Sequence, residues 1–265
     1  MNTARVMTII DKEWAEVFKN KMVLGTIVFM PLLFTLMPLV MLYFTGQANG
    51  SLEGDMADMP AQFTAACGGL APAECMQYFV INQFMLMFMI MPLMIPTAIA
   101  AYSIVGEKTT RSLEPLLATP VTTEELLLGK ALAAAIPAVV ATYLSFFIFV
   151  LLMPLAKATP ALIAQVFSPT WLIAVLIIGP LMAVAAVNLA VLVSSRVNDP
   201  RVAEQMTTVL IVPIMAVMFA QIGGLLVINR DLMMISAFVM LALDAVLIYL
   251  GARLFQRETI LTRWK

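Results

Sequence analysis

Histidine is missing from all 265 residues, so His-based triads, His zinc sites and His proton relays are excluded together. Charge is scarce as well. Only 12% of the chain is Asp, Glu, Lys or Arg, while 62% is hydrophobic and the mean hydropathy is +0.99. A soluble domain carries roughly 25% charged residues. With about half of that there is too little polar surface to cover a soluble globule, and disordered and secreted classes are excluded with it. The balance of 15 basic and 16 acidic residues leaves a net charge of −1, so no basic field exists to hold nucleic acid. A phosphate loop is also absent. Gly129-Lys130 is followed by Ala131 and preceded at the diagnostic distance by Glu124, so the chain should not bind ATP by that route. No constellation points to a catalytic residue or a metal ligand set.

What is present is a series of long apolar runs. They cover residues 22–44, 78–105, 131–153, 171–193, 206–228 and 232–252. Each can cross a hydrocarbon core of about 30 Å at 1.5 Å per residue. The short alternating strands of a barrel are missing, so helices are the only spanning structure that satisfies the backbone. The expected fold is an all-α integral membrane protein of six spans, one transmembrane domain over 1–265. Thirteen of the fifteen basic residues fall in the N-tail, the 2–3 loop, the 4–5 loop and the C-tail; only Lys157 and Arg230 lie on the other side. Basic segments stay inside, so both termini are expected in the cytoplasm.

The N-terminal 21 residues mix charges of both signs and do not read as a cleavable signal. Val6, Ile10, Trp14, Val17 and Phe18 recur at helical spacing, which predicts an amphipathic helix lying in the interface with its apolar side in the lipid. The first external loop, residues 45–77, has no Lys or Arg and holds both cysteines, Cys67 and Cys75. If that side is oxidising, a disulfide between them is expected, contributing about 2–3 kcal/mol to loop order; the alternative is two free thiols.

The 2–3 loop, residues 106–130, reads GEKTTRSLEPLLATPVTTEELLLGK. A short helix with Leu113, Leu116 and Leu117 as an apolar patch is punctuated by Pro115 and Pro120. Thr122-x-x-Glu125 then forms a capping box that restarts a helix into the third span. An ordered charged loop with exposed leucines needs a protein surface to cover it, so it reads as a docking element. Gly106-Glu107-Lys108, the run from Ser112 to Pro120, Glu125 and Gly129-Lys130 resemble the signature loop of ABC-2-type transporter permeases, most of all the prokaryotic sodium-export and multidrug-like branch. The in-plane helix, the large first external loop, the six spans and the Asn198-Asp199-Pro200-Arg201 turn agree with that layout. The resemblance implies a prokaryotic inner-membrane exporter in which two permease copies, identical or related, meet two separate ATPase subunits that bind ATP and magnesium. It makes residues 106–130 the coupling element, with Glu107, Lys108, Arg111, Leu113, Glu114, Leu116 and Leu117 as ATPase-facing candidates. No cofactor is expected in this chain itself, whose other partner is the lipid bilayer.

Asp244 falls near the middle of the sixth span, where an aspartate costs roughly 2.5–3.5 kcal/mol on the insertion scale. It should face the bundle interior, with Asn188 and Gln221 as partners, either as a pathway group or as a structural hydrogen bond. A secondary transporter or channel using Asp244 for ion coupling is the alternative to an ATP-driven exporter. The run from Met85 to Met94 reads as adaptable packing or a greasy pathway wall, since its alternation points successive thioethers in different directions. Every span but the sixth contains proline, which suits a transporter but occurs in inert bundles too.

Overall fold

The computed structural model describes residues 2–47, 72–109 and 121–254. Helix α1 is Thr3–Val17 and α2 is Lys21–Gln47, the first span. The second span is split into α3, Pro72–Phe88, and α4, Met91–Thr109. The third is α5, Thr123–Leu152. The fourth is assembled from α6, Pro160–Val166, α7, Pro169–Ile173, a π-turn at Ala174–Ile178 and α8, Gly179–Ser194. The fifth joins α9, Pro200–Thr207, through a 3₁₀ turn at Thr208–Leu210 to α10, Ile211–Ile222, and the sixth is α11, Arg230–Leu254. Six helical stretches are therefore long and apolar enough to cross a membrane. The fold is all-helical among the described residues.

The spans are not equivalent. The most apolar stretch of the second is 89% buried, against 17–44% for the other five, which makes it the central element that the rest surround. It packs on α8, α5 and α9. Its methionines go into this core: Met85, Met89 and Met91 are buried, and Met87 and Met94 pack beside them. Of the two readings of the run, packing or a pathway wall, this burial fits packing. The outer spans instead expose large apolar side chains such as Phe29, Val140, Phe219 and Phe238, as a lipid-facing surface requires.

Prolines explain where helices break. Pro92 has no N–H to give to Phe88 and disfavours helical geometry at the residue before it, and the central span turns at Met89–Ile90. Pro213 stands just after the 3₁₀ turn of the fifth span, whose helix starts at Pro200 rather than 206. Its capping follows the sequence closely. The Asp199 side chain accepts from Arg201 N at 2.8 Å with Pro200 at the first helical position. Two other prolines leave carbonyls that neighbouring helices use. Pro180 cannot donate to Leu176, and the Tyr143 hydroxyl donates to that oxygen at 3.2 Å, tying α5 to the fourth span. Pro137 cannot donate to Ala133, and the Trp14 indole N–H donates there at 2.9 Å.

That last bond shows what part of the apolar face of α1 packs against. Val6, Ile10 and Val17 are buried, and Val6 and Ile10 pack with Trp14 against Leu128, Leu132 and Ala133 of α5. Much of the apolar face of α1 therefore packs on protein, while Met7 and Phe18 are left largely exposed. Hydrophobic spacing demands burial without naming what does the burying, so a lipid and a neighbouring helix satisfy the same pattern.

Candidate functional site

The two stems of the 2–3 loop, the end of α4 and the start of α5, are joined to each other through α1. Three features seat α1 there. Its first turn is capped twice: the Asn2 side chain accepts from Ala4 N at 3.0 Å, and Asn2 N–H donates to the Glu125 carboxylate at 2.7 Å. Glu125 also closes the capping box of α5, accepting from Thr122 N at 3.1 Å while Thr122 Oγ1 accepts from Glu125 N at 3.2 Å. Arg5 approaches the same carboxylate at 3.5 Å. One acidic side chain thus serves two helix starts. Gly129 supplies the second feature. A Cβ there would stand 2.8 Å from Ile9 Cγ2 and 2.9 Å from Ile9 Cβ, so α1 sits on α5 only because position 129 has no side chain. Gly129→Ala is expected to cost about 1–3 kcal/mol by overpacking. The midpoint of thermal unfolding should fall, and Ile9→Ala in the same chain should restore part of it, since it removes Cγ2 but keeps Cβ. An unchanged midpoint in the single variant would show that α1 does not rest there.

The third feature is a buried cluster of charges. Lys130 of α5 reaches Glu13 of α1 at 2.6 Å and Glu107 of α4 at 2.8 Å, and donates to Ser103 Oγ at 2.7 Å. Lys12 donates to the other oxygen of Glu107 at 2.6 Å and lies 3.8 Å from Glu13 and 3.7 Å from Glu16. The side chains of Glu13, Lys130 and Glu107 are only 2%, 5% and 6% exposed. Ions this far from water survive only as a mutually compensated set, and loss of one partner costs about 3–5 kcal/mol. Burial by itself would lower the Lys12 ammonium; the hydrogen bond and charge of Glu107, then Glu13 and Glu16, outweigh it and hold Lys12 above the ordinary lysine range. A raised lysine contributes its stability fully below its unfolded value of about 10.4 and loses it as pH climbs through the higher folded value, so this contact persists across neutral pH.

Glu107, expected to face a partner, turns its side chain inward and binds α4 to α1 and α5, because two ammonium groups are available there. Lys108 is on the last turn of α4, and its side chain lies outside the described residues, as do Arg111, Leu113, Glu114, Leu116 and Leu117. Cys75 is buried and disulfide-bonded; Cys67 lies outside the described residues. Sequence reasoning gave Lys12, Glu13 and Ser103 no site role and took Lys130 only as part of the loop signature. One signal was legible: Glu13 stands in register with Ile9, Ile10 and Val17, a charge inside the buried stripe of an amphipathic helix.

The intramembrane polar residues do not assemble as expected. Asp244 is 4% exposed, and neither of its carboxylate oxygens has a hydrogen-bond partner among the described residues. Asn188 spends its amide on Val184 O of its own helix at 2.8 Å, and the Gln221 carbonyl oxygen is buried without a partner among the described residues. No hydrogen bond joins the three. Among the described residues, no three or more Cys, Asp or Glu side chains converge in a way that could hold a metal.

The described residues thus form six apolar spans, one of them central and broken, with the stems of the 2–3 loop locked to an N-terminal helix. The family model for ABC-2 family transporter proteins matches residues 7–235, most of the chain. This chain belongs to the ABC-2 transporter family. It is a multi-pass permease subunit of an ABC transporter, a membrane component that is not itself catalytic, and its family implies an ABC ATPase as partner. No curated protein matches the permease. The match begins inside α1 and runs through the whole charge cluster, so Lys12, Glu13, Glu107 and Lys130 all lie within the family region.

Proposed function

We propose that this permease is the membrane half of an ATP-driven exporter of the prokaryotic inner membrane, with both termini cytoplasmic. Two copies form the pathway, and residues 106–130 of each receive a separate ATPase subunit that binds ATP and magnesium. The observation that carries this reading is the ionic joint at Lys130. A loop that has only to connect two helices needs no buried lock between its stems. A loop that must transmit force does, because displacement of its tip reaches the spans only if α4 and α5 move as one with α1. Segment 110–120 then acts as the lever tip, and the central span, broken at Met89–Ile90, is the element it drives. Isolation of the tagged permease in mild detergent should co-purify a soluble protein bearing a phosphate loop. Cargo movement by the purified permease alone, with no ATPase, would overturn the proposal.

Asp244 supports one second reading, a gradient-driven transporter. A buried carboxylate with no hydrogen-bond partner among the described residues is poised to take a proton or a cation. Asp244→Asn removes the charge and keeps the shape. As a pathway group in an exporter, it should lower transport at least severalfold while the ATPase still co-purifies. Under the second reading, transport should be abolished and no ATPase should be found with the protein. Transport at the wild-type rate would remove Asp244 from the pathway altogether.

A further inference from the structure

An open apolar groove of about 560 Å³ runs between α2 and α5 and is capped at one end by α1. That volume is within the roughly 300–1,000 Å³ of small-molecule sites. Its walls include Leu32 on α2 and Ala141 and Leu144 on α5; Trp14 and Phe18 of α1 close its end. The lining extends from Ile27 to Leu36 on α2 and from Ile136 to Ile148 on α5. At 1.5 Å per residue these stretches are about 14 and 18 Å long. One leaflet of a 30 Å hydrocarbon core is about 15 Å deep. This stretch is about one leaflet deep and long enough for an acyl chain; past Leu36 an open apolar surface continues along Leu39, Val40, Tyr43 and Phe44 of α2 beside Leu152 and Leu155.

Two lysines flank the α1 end of the groove without lining it. Lys19 follows Phe18 directly, and Lys21 stands seven residues before Val28, which puts it on the same face of α2 as the groove-lining Val28 and Leu32. Both lysines are exposed and form no ion pair among the described residues, although Lys12 and Lys130 are fully engaged. Two unpaired ammonium groups above a leaflet-deep apolar slot match one ligand class. We infer that the groove binds an anionic phospholipid of the leaflet on the α1 side, with one acyl chain between α2 and α5 and its phosphate on Lys19 and Lys21. Occupancy would wedge lipid under α1, the same helix that locks the 2–3 loop. The inference needs only the membrane, not the ATPase, so it stands or falls apart from the proposed function.

Trp14 provides the probe, because it lines the groove. The full-length permease would be placed in nanodiscs of phosphatidylcholine doped with chain-brominated phosphatidylglycerol or chain-brominated phosphatidylcholine. Short-range quenching of Trp14 is isolated by subtracting the Trp14→Phe protein. The anionic lipid should quench at lower mole fraction, by roughly fivefold for each lysine. Lys19→Gln with Lys21→Gln, both on the exposed surface, should erase that preference and leave quenching by bulk lipid. Ala141→Phe should fill the slot and reduce quenching by either lipid. Equal quenching by the two lipids in the native chain would reduce the groove to ordinary annular contact and overturn the inference. So would quenching indifferent to Ala141→Phe. Absence of any quenching, with a cysteine placed by Leu144→Cys cross-linking between copies, would show that a second permease fills the groove and would equally overturn it.

Discussion

Lys130→Met should destabilise this permease by about 3–5 kcal/mol, a larger loss than overpacking at Gly129 brings. The variant leaves Glu13 without its 2.6 Å partner and takes one of two ammonium groups from Glu107. Both carboxylates are nearly sealed from water, so solvent cannot replace the lost cation. Limited proteolysis should cut within α1 faster in the variant than in the native protein, because α1 loses the Glu13–Lys130 pair that ties its middle to α5, leaving Glu13 buried without that cation. A stability loss alone would leave open whether the joint transmits anything. Glu13→Met with Lys130→Met separates the two roles. It replaces the inner pair by apolar side chains of similar length, and it leaves the 2.6 Å Lys12–Glu107 pair in place. Buried pairs exchanged for apolar residues are often neutral in stability. The double variant should therefore regain most of the native unfolding midpoint while ATP-driven transport stays low. Recovery of both would make the cluster a packing device only; a single variant as stable as the native chain would remove the joint altogether.

Leu113→Asp with Leu116→Asp should release the ATPase from the purified complex. Apolar anchors at the centre of an interface cost about 2 kcal/mol or more each when lost, and two such losses weaken binding by roughly a thousandfold. Co-purification in detergent reads that change directly. The permease itself should remain folded, since α1, α5 and the charge cluster that hold the loop stems are untouched. Co-purification at the native level would show that the ATPase docks elsewhere and would sink the assignment of residues 106–130. The Asp244→Asn chain is the useful control, because it alters the bilayer interior and should leave the complex intact.

Much of the architecture was readable from the chain alone because bilayers leave few choices. A chain with so little charge, cut into six runs of span length, must satisfy its backbone internally, and helices are the only way when barrel patterning is absent. The capping box at Thr122 and Glu125 and the Asp199-Pro200 helix start were equally legible, since both are local hydrogen-bond arrangements written within four residues. The loop signature carried the family. Two things resisted. Apolar side chains suit lipid and protein alike, so nothing in the pattern of the second span distinguished it as the central one, and nothing in α1 said that its stripe meets α5. The charge cluster was hidden for a different reason. Glu13, Glu107 and Lys130 are separated by more than twenty residues at each step, and an isolated charge near a span end looks like a solvated flank. Sequence by itself decided that this protein is a six-span helical permease of its family, because hydropathy and backbone satisfaction act locally. Only the tertiary structure decided which helix is central and that four scattered ions form one lock, because burial and pairing of charge depend on which faces meet across the bundle.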